Sequence, residues 1–185
     1  YQSEDAYEGR FSEYCQVQDA DLTLAKIPDG VSDTEAVLVS DLPTTSLPGV
    51  LKCNITWGDT VVILGIGPIG LTALQGVKLR GAGRIICVGH RELTKKLALE
   101  YGATDIVDYK EGDVYEQIKS IVGDEDIDSV LICSDGDASE QTNLAFRLVK
   151  WGGVVSNLSF WDKYSEISIK TDYIFYGGKD KAYYT

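Results

Sequence analysis

The sequence predicts an α/β protein whose central layer is a doubly wound, parallel β-sheet. From position 60 onward, short apolar runs alternate with amphipathic stretches of helical period. The runs are apolar on both faces, as expected for strands of a parallel sheet that helices cover on each side. The predicted strands are residues 60–66, 84–89, 105–109, 129–133 and 154–158, and the predicted helices are 69–80, 92–101, 114–122 and 138–150.

The segments on either side of this alternation are less regular. Ser32 followed by Glu35 is typical of a helix start, and a short helix is predicted over 44–53. Extended segments are predicted over residues 11–17 and 22–28, and strands over 166–170 and 181–185. We therefore expect a division into residues 1–42 and a sheet-forming part, 43–185.

Composition and charge exclude several classes of function. The chain has 17 Lys and Arg against 29 Asp and Glu, a net charge of -12, so it lacks the basic excess of a nucleic-acid-binding protein. It contains no run of about 18 apolar residues, so no membrane span is expected. The acidic first residues are unlike a signal peptide, and we expect a cytoplasmic protein. The four cysteines form no CxxC pair.

A glycine-rich turn follows the first predicted strand of the sheet. The sequence Gly-Ile-Gly-Pro-Ile-Gly at 65–70 lies between that strand and a helix, as in dinucleotide-binding βαβ units of the Rossmann type. Gly65 permits the tight turn, Gly67 lets a pyrophosphate approach the backbone, and Gly70 permits close helix packing. Pro68 and Ile69 begin the helix, whose N-terminus favours anions.

The end of the second strand predicts which dinucleotide binds. NAD sites usually carry Asp or Glu there to accept from the ribose 2′-OH, whereas this sequence has Gly89, His90 and Arg91. The missing carboxylate removes repulsion, and a guanidinium can hold a 2′-phosphate, so NADP(H) is expected. His90 can donate to the ligand or stack near its adenine. Tyr109, which ends the third strand, either reaches the same phosphate or simply packs.

The last two predicted strands also end in polar residues. Residues 132–136 and the sequence Asn157-Leu158-Ser159 follow buried strands. Because ligands in open α/β sheets lie beyond the carboxyl ends of the strands, Leu158 and Ser159 are candidates for binding the nicotinamide half. Ordinary loop chemistry is the alternative interpretation of these residues.

These motifs, with residues 78–86 and 101–109, resemble the cofactor domain of zinc-dependent medium-chain alcohol dehydrogenases. The chain is most similar to the bacterial NADP-dependent secondary-alcohol dehydrogenase group, whose second strand ends in Gly-Ser-Arg and contacts the 2′-phosphate with a Tyr after the third strand. Gly89, His90, Arg91 and Tyr109 correspond here, with His in place of Ser. The resemblance implies that residues 1–42 are a short remnant of a GroES-like catalytic domain with its linking helix.

The resemblance also implies a catalytic zinc in the intact enzyme. Asp41 matches the aspartate ligand of the family, although Ser46 replaces the glycine that follows two threonines in the family pattern. A catalytic zinc normally has three protein ligands, and the family's Cys and His ligands have no counterpart in this chain. Asp41 is therefore either a metal ligand or an ordinary helix-terminus residue.

The activity implied by the resemblance is reversible oxidation of a secondary alcohol to a ketone, with zinc as Lewis acid and NADP(H) as hydride carrier. The isolated chain is expected to bind NADP(H) without turnover. Two alternatives stay open: a polyol, sugar or aldehyde dehydrogenase of the same superfamily, and a non-catalytic NADP(H)-sensing module. The family also implies a homo-oligomer, a dimer or a tetramer, in which the last strand pairs across a subunit interface.

Overall fold

The computed structural model describes residues 13–14, 16–161, 166–176 and 179–185, and backbone alone at 175–176 and 179–180. The chain divides into two compact units, Tyr1–Val37 and Leu38–Thr185. The elements, in chain order, are α1 (Ala20–Thr23), α2 (Asp33–Val39), α3 (Leu42–Lys52), β1 (Thr60–Leu64), α4 (Pro68–Leu79), β2 (Arg84–Val88), α5 (Glu92–Tyr101), β3 (Asp105–Val107), α6 (Val114–Val122), β4 (Ser129–Ile132), α7 (Ala138–Leu148), β5 (Val154–Asn157), a 3-10 turn (Thr171–Tyr173), β6 (Phe175–Tyr176), β7 (Lys179–Asp180) and β8 (Ala182–Tyr184).

The second unit contains a parallel sheet, which confirms the predicted fold. Its six strands lie in the order β3-β2-β1-β4-β5-β8, and all five neighbouring pairs are parallel. The strand order reverses direction between β1 and β4, the place where doubly wound sheets form a ligand crevice. The predicted strand over 181–185 is confirmed as β8, while β6 and β7 form a separate antiparallel pair.

Alternating side chains of the strands form a core on each face of the sheet. Val62 and Leu64 of β1 belong to the cluster that contains α6 and α7 residues, whereas Val61 and Ile63 belong to the cluster of α3, α4 and α5. The strand period of two produces this division, and both faces exclude water. The sheet is therefore the middle layer of three, and its carboxyl edge can hold functional groups rigidly.

Three of the extended predictions differ from the structure. Residues 20–23 form the single turn α1, because the Leu22 and Thr23 amides donate to the Asp19 carbonyl oxygen, and residues 24–28 have no regular structure. The prediction over 11–17 lies partly outside the described residues, and its described residues contain no strand.

Residues 166–170 have no regular secondary structure. The Ser168 amide donates to Ser139 Oγ at 3.0 Å and the Lys170 amide to Asn143 Oδ1 at 2.8 Å, while Asn143 Nδ2 donates to the Ser168 carbonyl oxygen. Side chains of α7 thus satisfy the backbone groups that a neighbouring strand would otherwise bind.

The first unit contains the predicted helix start. The Ser32 amide donates to Glu35 Oε2 at 2.9 Å, and the Glu35 amide donates back to Ser32 Oγ at 3.3 Å. This reciprocal capping box precedes α2 as expected. Among the described residues, no helix combines the length and apolar character needed to cross a membrane.

Candidate functional site

A cavity of about 420 Å³ lies beyond the carboxyl ends of β1, β2 and β4. It coincides with the reversal in strand order, where a parallel sheet leaves space between helices of opposite faces. Of the predicted site residues, Gly65, Gly67, Gly89, His90, Arg91 and Tyr109 line it. The other lining residues are Leu64, Ile66, Val88, Thr94, Val114, Cys133, Ser134, Asp135, Gly136, Gln141 and Leu144.

The glycine-rich turn fits the roles that its sequence predicts. Gly65 has φ +101°, and a Cβ there would lie 2.8 Å from the carbonyl carbon and oxygen of Cys133. A Cβ on Gly70 would lie 1.9 Å from the Gly65 oxygen, whereas a Cβ on Gly67 would meet no atom within 4 Å. Two glycines are therefore required for packing, and the third leaves open space beside the backbone.

The N-terminus of α4 is left open toward this turn. Gly67 is the N-cap and has no side chain to cap the helix, and Pro68 occupies the first position. The first-turn amides of a helix lack intrahelical acceptors, and together with the helix dipole they favour an anion. Pro68, Ile69 and Gly70 do not line the cavity themselves, but they build the helix end that faces it.

Gly89 leaves no room for a side chain at the end of β2. A Cβ there would lie 2.1 Å from Cγ1 and 2.5 Å from Cδ1 of Ile66, a side chain that is 3% exposed. The buried Ile66 side chain thus occupies the space that a side chain at position 89 would need. Apolar packing, as well as the absent acid, separates this site from the usual NAD site.

Arg91 is the N-cap of α5 and is exposed at the cavity wall. Its carbonyl oxygen accepts from Thr94 Oγ1 at 3.1 Å and from the Lys95 amide at 3.0 Å. Its guanidinium forms no ion pair with the described residues. The positive charge therefore remains available to a ligand phosphate.

A charged cluster at the end of β3 holds the neighbouring His90. The Nδ1 atom of His90 lies 2.9 and 3.0 Å from the two carboxylate oxygens of Asp108. Lys95 Nζ and the Lys110 amide also donate to Asp108, both at 2.9 Å. The Lys110 amide first, then Lys95 and His90, lower the pKa of Asp108 to about 2.

Sequence reasoning missed this cluster. Asp108 directly follows a strand and precedes the predicted site residue Tyr109, which was the available signal. Hydrogen bonds from Lys95 to Glu92 and Asp108 raise the pKa of Lys95, so the ammonium is fixed among acceptors. The Tyr109 ring is half exposed and lies 5.6 Å from the His90 ring, so it both lines the cavity and packs on the histidine.

Leu158 and Ser159 do not line the cavity, and their binding role stays a prediction. The Ser159 hydroxyl donates to the Ser134 carbonyl oxygen at 2.7 Å, while Ser134 Oγ donates to Gln141 Oε1 at 2.9 Å. Ser159 thus stabilises the backbone of Ser134, which lines the cavity, without lining the cavity itself. Leu158 packs against Gly49, where a Cβ would lie 2.3 Å from its Cδ2.

Cys87 is fully buried, and burial raises the pKa of its thiol to about 12. Cys133 is half-buried and lines the cavity. Burial raises the pKa of this thiol as well. Neither group is a thiolate at neutral pH, so both are poor nucleophiles.

The described residues do not fit a zinc centre. No group of three His, Cys, Asp or Glu side chains in the described part of the chain is placed to hold a metal ion. Asp41 is exposed at the start of α3, and its Oδ1 lies 3.5 Å from the Thr45 hydroxyl. The assignment of Asp41 as a metal ligand stays a prediction.

Comparison with known proteins shows the family. A family model described as "Zinc-binding dehydrogenase" matches residues 68–180. NADP-dependent isopropanol dehydrogenases from Clostridium beijerinckii and Thermoanaerobacter brockii are 40% and 41% identical to the chain, each covering 83% of it and 43% of the relative. The chain thus spans less than half the length of these relatives.

A solved structure agrees with this result. A putative zinc-binding dehydrogenase from Sinorhizobium meliloti 1021, bound to NADP, is 28% identical with a TM-score of 0.64, over 77% of this chain and 42% of that one. The match covers the same α/β architecture that the strand order shows. By sequence and by fold, this chain belongs to the zinc-binding dehydrogenase family.

Proposed function

We propose that this chain is the NADP(H)-binding part of an oxidoreductase that interconverts secondary alcohols and ketones. The observation that carries the proposal is the meeting of two predicted phosphate sites in one cavity. The glycine-rich turn lies at one wall, and Gly89, His90 and Arg91 lie at another. The relatives named NADP-dependent isopropanol dehydrogenases support the same cofactor and substrate class.

Each part of the cavity has a separate task in this proposal. The open backbone at Gly67 and the first turn of α4 bind the pyrophosphate, and Arg91 with His90 binds the 2′-phosphate. The buried Ile66 beside Gly89 excludes a carboxylate that would repel this phosphate. When bound, the nicotinamide accepts or donates the hydride, and the chain orients it.

Other parts of the proposal rest on the family alone. Residues 1–42 are proposed to be a remnant of the catalytic domain, and Asp41 to be one ligand of a zinc ion. The described residues do not by themselves form a site for that metal. A homo-oligomer and a cytoplasmic location also stay predictions.

Ligand-dependent thermal unfolding tests the cofactor assignment. A ligand that binds the native state stabilises it by about 2.7 kcal/mol at 100 times its Kd. We expect NADPH to raise the Tm well above the value with NADH at equal concentration. The Arg91→Gln variant should lose that difference, whereas Arg80→Gln, at the far end of α4, should keep it. Equal shifts by the two ligands in the unmodified chain would contradict the proposal.

Steady-state assays test the reaction. The intact enzyme should oxidise isopropanol with NADP, and the isolated chain should bind NADPH without turnover. Faster turnover on a polyol, sugar or aldehyde would favour the first alternative. NADPH binding without dehydrogenase activity in the intact protein would favour the sensing module.

A further inference from the structure

The contact between His90 and Asp108 restricts where the imidazole proton lies. Asp108 is 7% exposed, and three donors surround its carboxylate: Lys95 Nζ, the Lys110 amide and His90 Nδ1. With its pKa lowered to about 2, Asp108 is ionised at any pH near neutrality. An ionised carboxylate only accepts hydrogen bonds, so His90 Nδ1 must carry a proton.

This tautomer decides how His90 meets an anion. Because Nδ1 is committed to Asp108, the ring nitrogen left for the cavity is Nε2. In neutral imidazole with a protonated Nδ1, the Nε2 atom has a lone pair, which repels a phosphate oxygen. In the imidazolium form, Nε2 is a charged donor and attracts it. A phosphate that contacts Nε2 is therefore attracted only when the ring carries a second proton.

Charged groups of both signs surround His90. Asp108 lies against the ring, and Lys95, which pairs with Asp108 and Glu92, lies behind the carboxylate. Arg91 and Lys110 are the neighbouring cations, and the Tyr109 ring lies 5.6 Å away. Three hydrogen-bond donors cover the Asp108 carboxylate. A ligand phosphate in the cavity therefore meets the His90 imidazolium and the Arg91 guanidinium rather than an exposed acid.

We propose that Asp108 is a positioning residue for NADP(H) binding: it fixes the His90 tautomer, and binding of the 2′-phosphate is coupled to uptake of one proton at His90 Nε2. The inference rests on the proposed function and adds a proton to the binding equilibrium. Histidine is the side chain suited to this task, because imidazole commonly changes charge between pH 5 and 8.

Calorimetric titration tests the coupling directly. The chain is titrated at pH 8 with NADPH and with NADH, in Hepes and in Tris, and the difference in apparent enthalpy between buffers gives the protons exchanged. We expect uptake approaching one proton for NADPH and none for NADH. Phosphate monoesters have a second pKa near 6, so the ligand is already a dianion and takes no part at this pH.

Two variants separate positioning from mere structure. His90→Asn keeps a donor but cannot titrate, so NADPH should bind without proton uptake. Asp108→Asn keeps an acceptor for Nδ1–H but lacks the charge; the Kd for NADPH should rise several-fold, while the Kd for NADH should be unchanged. Glu111→Gln, which removes one exposed charge three residues after Asp108, should change neither the Kd for NADPH nor the proton uptake.

The outcomes distinguish this inference from the proposed function. If NADPH binds no tighter than NADH, the proposed function fails. If NADPH binds more tightly than NADH but its binding takes up no proton, the inference alone fails. It also fails if NADPH binding to His90→Asn takes up as many protons as binding to the unmodified chain. If Asp108→Asn weakens both ligands equally, Asp108 has a structural role only. Circular dichroism checks that each variant is folded, and the His90→Asn result stands even if Asp108→Asn is unstable.

Discussion

The packing of Ile66 against Gly89 leads to a quantitative prediction about stability. In Gly89→Ala, the new Cβ would lie 2.1 Å from Cγ1 and 2.5 Å from Cδ1 of Ile66, far inside van der Waals contact. Ile66 is 3% exposed, so the side chain cannot swing into solvent without opening the core. The variant must shift either the glycine-rich turn or the end of β2.

The magnitude follows from three known effects. Overpacking a well-packed core costs about 1–3 kcal/mol, and replacing Gly with Ala returns about 0.4–1 kcal/mol by restricting the unfolded chain. The gain applies at position 89 because its backbone angle is not in the left-handed region. We therefore expect a net loss of stability of about 1–2 kcal/mol for Gly89→Ala. Ile66→Ala should cost about 2–5 kcal/mol, because it leaves a cavity.

The double variant distinguishes this contact from unrelated defects. Ile66→Ala removes both atoms that a Cβ at position 89 would strike, so the cost of Gly89→Ala should vanish in that background. The expected coupling is about 1–3 kcal/mol in favour of the double variant. Urea unfolding of the four proteins, followed by circular dichroism, measures it. Additive changes within about 0.5 kcal/mol would refute the steric argument.

Three further outcomes follow from buried polar groups. Ser46 Oγ in α3 is buried and has no hydrogen-bond partner among the described residues. Ser46→Ala should therefore raise the free energy of unfolding by about 1 kcal/mol, measured by urea denaturation; a loss of stability would mean that the hydroxyl is satisfied. Because the pKa of Asp108 is lowered, the charged carboxylate stabilises the fold at pH values above its ordinary pKa of 3.8, and this stability is lost as the pH falls toward 2. Asp108→Asn should therefore show a flatter dependence of unfolding free energy on pH between pH 5 and 2. Parallel profiles for the two proteins would contradict this prediction. Burial raises the pKa of Cys53 and of Cys87 to about 12, so iodoacetamide at pH 8 should label both thiols only as fast as the fold opens. A labelling rate that does not increase with mild denaturant would show that the thiols are accessible in the folded state.

Much of the sheet could be predicted because its signal is local. Strands such as β1 and β2 are apolar on both faces, and each predicted run begins where the observed strand begins. The glycine-rich turn was recognisable for the same reason, since strand, turn and helix N-terminus are contiguous in the chain. Even so, residues 166–170 show the limit: their alternation is real, but Ser139 and Asn143 of α7 provide the hydrogen bonds.

The charged cluster could not be predicted because its members are distant in sequence. His90 and Lys95 reach Asp108 across 18 and 13 positions, and they meet because β3 pairs with β2. Sheet order alone places the ends of these strands side by side, but not which nitrogen of His90 faces the carboxylate. That detail depends on side-chain geometry, and it determines the predicted proton uptake.

Packing excludes an acid at position 89 and retains one at Asp108, which lies beside the cavity-lining residues His90 and Tyr109. A carboxylate side chain at position 89 would have to displace Ile66. The carboxylate of Asp108 lies one strand further out, where Lys95, the Lys110 amide and His90 donate to it. A negative charge is tolerable beside a phosphate site when donors of the chain hydrogen-bond to it, because they satisfy its oxygens and offset part of its repulsion. In the proposed NADP(H) site, selectivity for the extra phosphate therefore depends on the absent acid at position 89 and on the enclosed Asp108, as much as on the cation of Arg91.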